Sequence, residues 1–210
     1  MGTEIRACLN LANSLLSRGG KQVQKHFLIA LSQRGQPEIF FRQLETCIEI
    51  AAEESREQKA SLGQALLHIC PEPGSRHTLE EIFNTYNKSD DGNAPEQTGD
   101  DMDLTESSSI VQVLRFLQNL CEGHFHEMQK LMRVQQQDHS FDIVSSVAQL
   151  VIEWSEKISP LNIDVTKQGF ETLTEFMQGP NLGNILALLQ TGIIESINSI
   201  VRKSHTDIDQ

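Results

Sequence analysis

The feature that most constrains this chain is a series of apolar helical stripes that stop at glycine. Apolar residues recur at spacings of three and four along much of the sequence, which predicts amphipathic helices. The clearest stripe lies in residues 5–16 and is followed by Gly19-Gly20, as expected where a helix ends in left-handed backbone. Similar stripes end before Gly123 and Gly179, and each is followed by a new helix. The pattern predicts antiparallel helix pairs that turn at glycine.

A weak internal repeat accompanies these turns. An amide side chain follows each glycine a few residues later: Gln24, Gln129 and Asn184. The glycines are unevenly spaced, which indicates an irregular array. Such an irregular repeat is typical of a stack of helix pairs, in which each pair buries its apolar face only against its neighbours. A helical bundle also needs glycine stops and is the alternative, but we favour an armadillo-like solenoid.

The remaining stripes divide the chain into further helices. Pro37 is well placed as the first helical residue after a break. Residues 53–59 are polar on every side, so we expect them to be solvated. A capping box begins at Thr78. Beyond the first stripe, the predicted helices lie in residues 23–31, 40–59, 62–69, 79–86, 110–121, 125–132, 143–158, 165–177 and 182–201, the last with a break at Gly192.

Composition and charge exclude several classes of protein. Hydrophobic residues make up 38% and aromatic residues 5%, so the core is aliphatic, which suits helices. The formal net charge of -12 argues against nucleic acid as a partner and against docking on an anionic membrane surface. No apolar stretch approaches the roughly 18 residues of a membrane span. Because residues 1–10 do not resemble a signal peptide, we expect a reduced, cytosolic protein without direct membrane insertion.

One stretch breaks the helical pattern. Residues 87–109 contain seven acidic residues and one basic residue, with almost no apolar side chains. Such a segment cannot bury enough surface to offset its ordering entropy, so we predict a disordered acidic linker. Residues 90–93 resemble part of a calcium-binding loop, but no glutamate stands at the twelfth loop position. The predicted domains are residues 1–86, the linker 87–109, a helical domain 110–203 and a tail 204–210.

The four cysteines suggest structural rather than chemical roles. Cys8, Cys47 and Cys121 fall on apolar helix faces, which predicts small buried thiols. None of the four cysteines forms a CxxC pair. Cys47 and Cys121 are candidate nucleophiles only if a histidine lies nearby and the thiol is exposed, and their apolar settings argue against this.

The histidines and lysines suggest only weak binding sites. His124 and His126 are separated by one residue and point in nearly opposite directions on a helix, so a surface or capping role is favoured over metal binding. His68, Cys70 and His77 lack a fourth zinc ligand with suitable spacing. Arg18, Lys21 and Lys25 surround a helix start and are candidates for a weak anion site, although solubilising surface cations are the simpler interpretation. We predict no enzyme, and no catalytic, cofactor-binding or metal-binding residues.

Two motifs then carry a family resemblance. Residues 113–124 read VLRFLQNLCEGH and residues 173–184 read LTEFMQGPNLGN. Both resemble, in the same order, motifs of the homology-associated region shared by inositol trisphosphate receptors and ryanodine receptors. Upstream, LNLANSLLSRGGKQVQ in residues 9–24 is similar to a segment of the inositol trisphosphate receptors, which are the nearer of the two. Departures include Phe176-Met177 in place of an aromatic–cysteine pair, and a shortened loop between the motifs.

The resemblance implies a function that composition and spacing alone do not give. It implies an armadillo-like solenoid on the cytosolic face of the endoplasmic reticulum membrane, within a tetrameric calcium-release channel. In that family this region transmits ligand binding to the pore, and its partners are other domains or subunits of the channel. The ligand pocket and the pore lie elsewhere in the family's chains, so no ligand residue is carried over. The alternative is a free-standing solenoid adaptor that binds a partner protein.

Overall fold

The computed structural model describes residues 3–32, 37–69, 105–135, 140–156, 158 and 162–206. Every regular element in these ranges is a helix, which confirms the predicted all-α class. The helices are α1 (Thr3–Ser32), α2 (Pro37–Ile69), α3 (Thr105–Cys121), α4 (His126–Arg133), α5 (Ile143–Ser155), α6 (Ile163–Met177), α7 (Leu182–Leu189) and α8 (Ile193–Thr206).

The chain divides into two compact units. The first comprises Met1–Arg56 and Thr105–Gln210, and the second comprises Glu57–Leu104. Helices from both sides of the predicted linker therefore pack within the first unit. In the second unit the described part is the continuation of α2 to Ile69.

The first unit consists of three similar repeats. In each repeat a first helix ends at a glycine turn, a second helix follows, and a third helix comes next. Repeat 1 is α1, divided at Gly20, and α2; repeat 2 is α3, α4 and α5; repeat 3 is α6, α7 and α8. The first helices stack in order, with α3 between α1 and α6. The third helix extends the predicted helix pair to three, which is also the armadillo pattern.

Local sequence explains where the helices begin and end. Gly20 has φ 54° and ψ -146°, which interrupts α1 where the sequence predicts a stop. Gly123, Gly179 and Gly192 have φ between 75° and 85° and separate successive helices as predicted. At the start of α5, the Asp142 carboxylate accepts a hydrogen bond from the Ser145 backbone N–H at 3.0 Å.

The core is mainly aliphatic, with a few aromatic side chains between repeats. Leu114, Leu117 and Leu120 of α3 are fully buried at the centre of the stack. The Phe116 ring lies edge-on to the rings of Phe27 and Phe40, with centroids 5.7 and 6.2 Å apart. Edge-to-face ring pairs add stability beyond area burial, so these three rings fix repeat 2 against repeat 1.

Five details differ from the sequence-based expectation. The two helices predicted in residues 40–59 and 62–69 form the single helix α2, because residues 53–61 contain strong helix formers and no glycine or proline. α3 begins at Thr105, so residues 105–109 are helical rather than linker, and α8 continues to Thr206. Ile158 is exposed, because α5 already ends at Ser155. The prediction that Cys8 is buried is wrong, because its side chain is exposed on α1.

Several expectations fall outside the described residues. These are the helix end at Pro71, the helix in residues 79–86, and residues 87–104 of the predicted acidic linker with its calcium-like loop.

Candidate coupling interface between the helical repeats

A buried amide side chain of repeat 1 forms hydrogen bonds with the glycine turn of repeat 2. The Gln24 side chain is buried in the second half of α1. Its Nε2 donates hydrogen bonds to the backbone oxygens of Asn119 and Glu122, each at 2.9 Å. These carbonyls belong to the last turn of α3 and to the Gly123 turn, where helix geometry leaves acceptors without intrahelical partners. We call this arrangement the first amide clasp.

Repeat 2 forms the same kind of hydrogen bonds with the glycine turn of repeat 3. The Gln129 side chain, on α4, is fully buried, and its Nε2 donates to the backbone oxygens of Glu175 and Gln178 at 2.7 and 3.1 Å. Its Oε1 accepts a hydrogen bond from Asn181 Nδ2 at 3.3 Å. The acceptor residues lie four and one residues before Gly179. The acceptor residues of Gln24 lie at the same distances before Gly123. This is the second amide clasp, and it repeats the first.

The third amide closes the series by turning back. Asn184 Nδ2, on α7, donates to the backbone oxygens of Gln129 and Phe176 at 3.0 and 2.9 Å. Its Oδ1 accepts from Arg133 Nε at 3.0 Å. Asn184 therefore joins repeat 3 to α4, the helix that carries the second clasp. The residues exposed on the opposite side of α7 are apolar.

Further hydrogen bonds join corresponding helices of neighbouring repeats, first helix to first helix and third helix to third helix. Asn119 Nδ2 donates to Asn13 Oδ1 at 3.0 Å, which joins α3 to α1. Thr172 Oγ1, which is fully buried, donates to the Leu114 backbone oxygen at 3.0 Å and joins α6 to α3. Trp154 Nε1 donates to the Ala51 backbone oxygen at 3.1 Å and joins α5 to α2. Each junction between repeats thus has directional hydrogen bonds within an apolar contact.

The turns at Gly123 and Gly179 are in close contact. A Cβ atom on Gly179 would lie 2.9 Å from the His124 Cβ, so glycine is required by space as well as by its φ of 78°. Glu175 stands in the same region, and its Oε2 is buried without a hydrogen-bond partner. Partial burial raises the pKa of Glu175, the Glu122 carboxylate raises it further, and His124 opposes both.

The structure describes some of the candidate site residues proposed from sequence. His124 and His126 are exposed beside Gly179. Among the described residues, histidine, cysteine, aspartate and glutamate side chains form no group of three or more that could hold a metal ion. Cys121 is fully buried and its pKa is raised well above the usual value by desolvation, which confirms its predicted structural setting. Cys47 is half-buried, and burial raises its pKa as well.

The suggested anion site falls partly, and the suggested zinc cluster wholly, outside the described side chains. Lys21 and Lys25 are exposed, while the side chain of Arg18 lies outside the described set. The same holds for His68, and Cys70 and His77 fall in residues 70–104. A cleft of about 260 Å³ lies between α5 and α8, lined partly by Ser155, Ser196 and Lys203.

One further property concerns membranes. Within the described ranges, no single helix has both the length and the apolar character needed to cross a bilayer. α7 and the first part of α8 meet the requirement only together, and they are bent by 68° at their junction.

The sequence identified the positions of the clasps but not their partners. Gln24, Gln129 and Asn184 stood out because each follows a glycine. Asn13 and Thr172 were missed, although a polar residue within a predicted apolar stripe was the available signal. Their bonding partners depend on how the repeats stack, and the uneven spacing of the glycines does not give that register.

Comparison with known families gives a match that covers the second and third repeats. A family model described as RyR and IP3R Homology associated matches residues 104–201. The match begins at the residue before α3, ends within α8, and includes both sequence motifs and the second clasp. It does not distinguish the two channel types. Residues 104–201 of the chain therefore match the RyR and IP3R Homology associated family.

Proposed function

We propose that this chain is a regulatory coupling module of an intracellular ligand-gated calcium-release channel, acting on the cytosolic face of the endoplasmic reticulum membrane. Its role is to transmit ligand binding to the pore through contacts with other domains or subunits of the channel. The proposal includes a closer relation to inositol trisphosphate receptors, which the Gly19-Gly20 segment supports. It includes no catalytic step and no bound cofactor.

The observation that supports this role is the serial arrangement of the clasps. The first clasp holds the turn at Glu122, and that turn leads directly into α4. α4 carries Gln129, the donor of the second clasp, which in turn holds the Gly179 turn before α7. A displacement of α1 therefore reaches α7 through consecutive hydrogen-bonded turns rather than through diffuse contact. Packed elements joined by hydrogen bonds are the physical means by which distant sites are coupled.

A free-standing adaptor is the second candidate function. The observation that favours it is the apolar outer side of α7, where Leu182 and Leu186 are exposed. An adaptor would use such a surface to bind a helical partner protein. The two candidates differ in whether the complete gene product spans a membrane and conducts calcium.

The experiment expresses the full reading frame that contains this sequence in cells without endogenous calcium-release channels. Two quantities are measured: ligand-evoked calcium release from the endoplasmic reticulum, and binding of inositol trisphosphate to the same membranes. We expect Gln129→Met to reduce release while leaving the ligand's dissociation constant within about twofold, because in this proposal the clasp transmits ligand binding and does not contact the ligand. Gln149→Met, an exposed change on α5, is the matched control.

Two results would contradict the proposal. One is a full-length product that lacks membrane spans and releases no calcium, which would favour the adaptor. The other is equal loss of ligand binding and release in Gln129→Met, which would indicate misfolding or a binding role rather than coupling. Purified protein limited to residues 1–210 should show no specific inositol trisphosphate binding by calorimetry.

A further inference from the structure

One buried amide orients two surface side chains at the junction of repeats 2 and 3. Gln168 of α6 is 4% exposed. Its Oε1 accepts a hydrogen bond from Arg115 Nε at 3.3 Å, and its Nε2 donates to Gln118 Oε1 at 2.6 Å. Arg115 is exposed on α3, and Gln118, about one turn further along that helix, is partly exposed. We call these three residues the Gln168 joint.

The two surface side chains of the joint keep donors that the fold does not use. A guanidinium carries several N–H groups in one plane, and only the Nε of Arg115 is engaged. Among the described residues, no carboxylate forms an ion pair with Arg115, and no acceptor binds its terminal amino groups. The Nε2 of Gln118 likewise donates to no described residue. The joint therefore offers surface N–H donors that have no partner in this part of the chain.

Gln168 limits how far these donors can move. A free arginine side chain loses rotamer freedom when it binds a ligand, and this loss weakens binding. The hydrogen bond at Nε holds the guanidinium plane of Arg115 before any ligand arrives, so less freedom is lost on binding. The same amide also holds Gln118, so the orientation of both surface side chains depends on one buried residue.

The equivalent junction between repeats 1 and 2 shows that such a joint does not need a charge. Gln112 of α3 and Gln168 of α6 each stand 11 residues before the glycine turn of their repeat. Gln112 Oε1 accepts a hydrogen bond from Asn13 Nδ2 at 3.3 Å, so a buried neutral amide has the role that Arg115 has at the next junction. The packing of the repeats therefore does not explain the charge or the terminal amino groups of Arg115.

The surrounding charges indicate the class of ligand. Within about one helical turn of the joint stand Asp164, Lys167 and Glu171 on α6 and Glu122 on α3, all exposed. These charges of both signs oppose one another, so the joint has directed donors but no strongly positive field. Doubly charged phosphate groups are bound by clusters of cations, whereas a single guanidinium fork matches the two oxygens of a carboxylate. A singly charged carboxylate is therefore the ligand that fits.

We propose that the Gln168 joint is a recognition site for the carboxylate of an aspartate or glutamate side chain on another protein domain. The terminal amino groups of Arg115 bind the two carboxylate oxygens, and the Nε2 of Gln118 supplies a further donor. Gln168 does not contact the carboxylate and acts as a positioning residue. The inference does not depend on the proposed channel function.

The test follows side-chain N–H signals of the isotope-labelled chain by nuclear magnetic resonance at pH 6 and constant ionic strength. The probe is N-acetylglutamic acid α-amide, which carries one carboxylate, and N-acetylglutamine α-amide is its neutral control. Inorganic phosphate is titrated separately, and the exposed Arg202 on α8 is the internal control. Gln168→Leu removes the orienting amide, and Arg115→Lys keeps the charge without the planar fork, with the Gln118 amide as its signal. Gln168→Met replaces the leucine variant if circular dichroism shows a loss of helicity.

The expected pattern is specific to an oriented carboxylate site. The carboxylate probe should shift the Arg115 and Gln118 signals with saturation, the neutral control should not, and the dissociation constant should be about tenfold lower than at Arg202. Gln168→Leu and Arg115→Lys should each raise it about tenfold. Equal responses at Arg115 and Arg202, or unchanged binding in Gln168→Leu, would overturn the proposal. Tighter binding of phosphate than of the carboxylate probe would also overturn it, because it would indicate a phosphate site.

Discussion

Gln129→Met is the most informative single change in this protein. Methionine keeps the length and much of the volume of glutamine, but it cannot donate to the carbonyl oxygens of Glu175 and Gln178. It also cannot accept the bond from Asn181 Nδ2. The change therefore removes the second amide clasp while leaving the apolar packing around α4 largely intact.

The magnitude follows from the hydrogen bonds that are lost. A typical intramolecular hydrogen bond contributes about 1 kcal/mol net, and a buried carbonyl left without a donor costs about 1–3 kcal/mol. The acceptors lie in partly buried surroundings, so water can replace part of the loss. Methionine also regains some stability because it is apolar at a fully buried position. We expect the free energy of unfolding to fall by about 2 kcal/mol.

The assay is urea unfolding followed by fluorescence of Trp154, the only tryptophan in the chain. Its side chain is 2% exposed and bonds to α2, so its emission reports on the junction of repeats 1 and 2. Gln149→Met is the matched control, because Gln149 is exposed on α5 and its loss should change the free energy by less than about 0.5 kcal/mol.

The result that would refute the reasoning is a change in Gln129→Met no larger than that of the control, with an unchanged dependence on urea. That outcome would mean that apolar packing alone determines the junction and that the clasp contributes nothing to stability. A changed urea dependence would instead indicate that the transition has ceased to be two-state.

Three further predictions follow from the same structure. Gly169→Ala should lower the free energy of unfolding by about 1–3 kcal/mol, although alanine favours helix, because its Cβ would collide with Cγ2 of Val151; adding Val151→Ala should recover part of the loss in thermal unfolding. Glu175→Gln should raise the melting temperature at pH 7 and leave it unchanged at pH 3, because the raised pKa of Glu175 makes its ionisation destabilising only above the carboxyl's unfolded pKa. A thiol reagent at pH 8 should label Cys8 rapidly and Cys121 only after unfolding, as mass spectrometry of peptides would show, because burial raises the pKa of Cys121.

Much of the helical pattern was predictable because it depends on local rules. Gly20, Gly123, Gly179 and Gly192 end helices through backbone freedom that other residues lack, and Pro37 begins one where the sequence places it. These signals do not need tertiary contacts, so a single sequence reveals them.

The errors arise where packing rather than propensity decides. Cys8 has the spacing of a buried residue, but its side chain is exposed, because burial depends on which neighbours reach that turn of α1. The helix predicted in residues 62–69 is not a separate element, because helix-forming residues continue α2 to Ile69. The bonding partners of Gln24 and Gln129 depend on the register between repeats, which only the packed structure shows.

The central claim is that the clasps couple successive repeats, and hydrogen exchange tests it most directly. In Gln24→Met, which removes the first clasp, exchange is followed at the Phe125 amide, which bonds to the Cys121 oxygen, and at the Gln178 amide, which bonds to the Thr174 oxygen. We predict that Phe125 exchanges about tenfold faster and that Gln178, at the next turn, also exchanges faster, by a smaller factor. Faster exchange at Phe125 with an unchanged rate at Gln178 would contradict the claim.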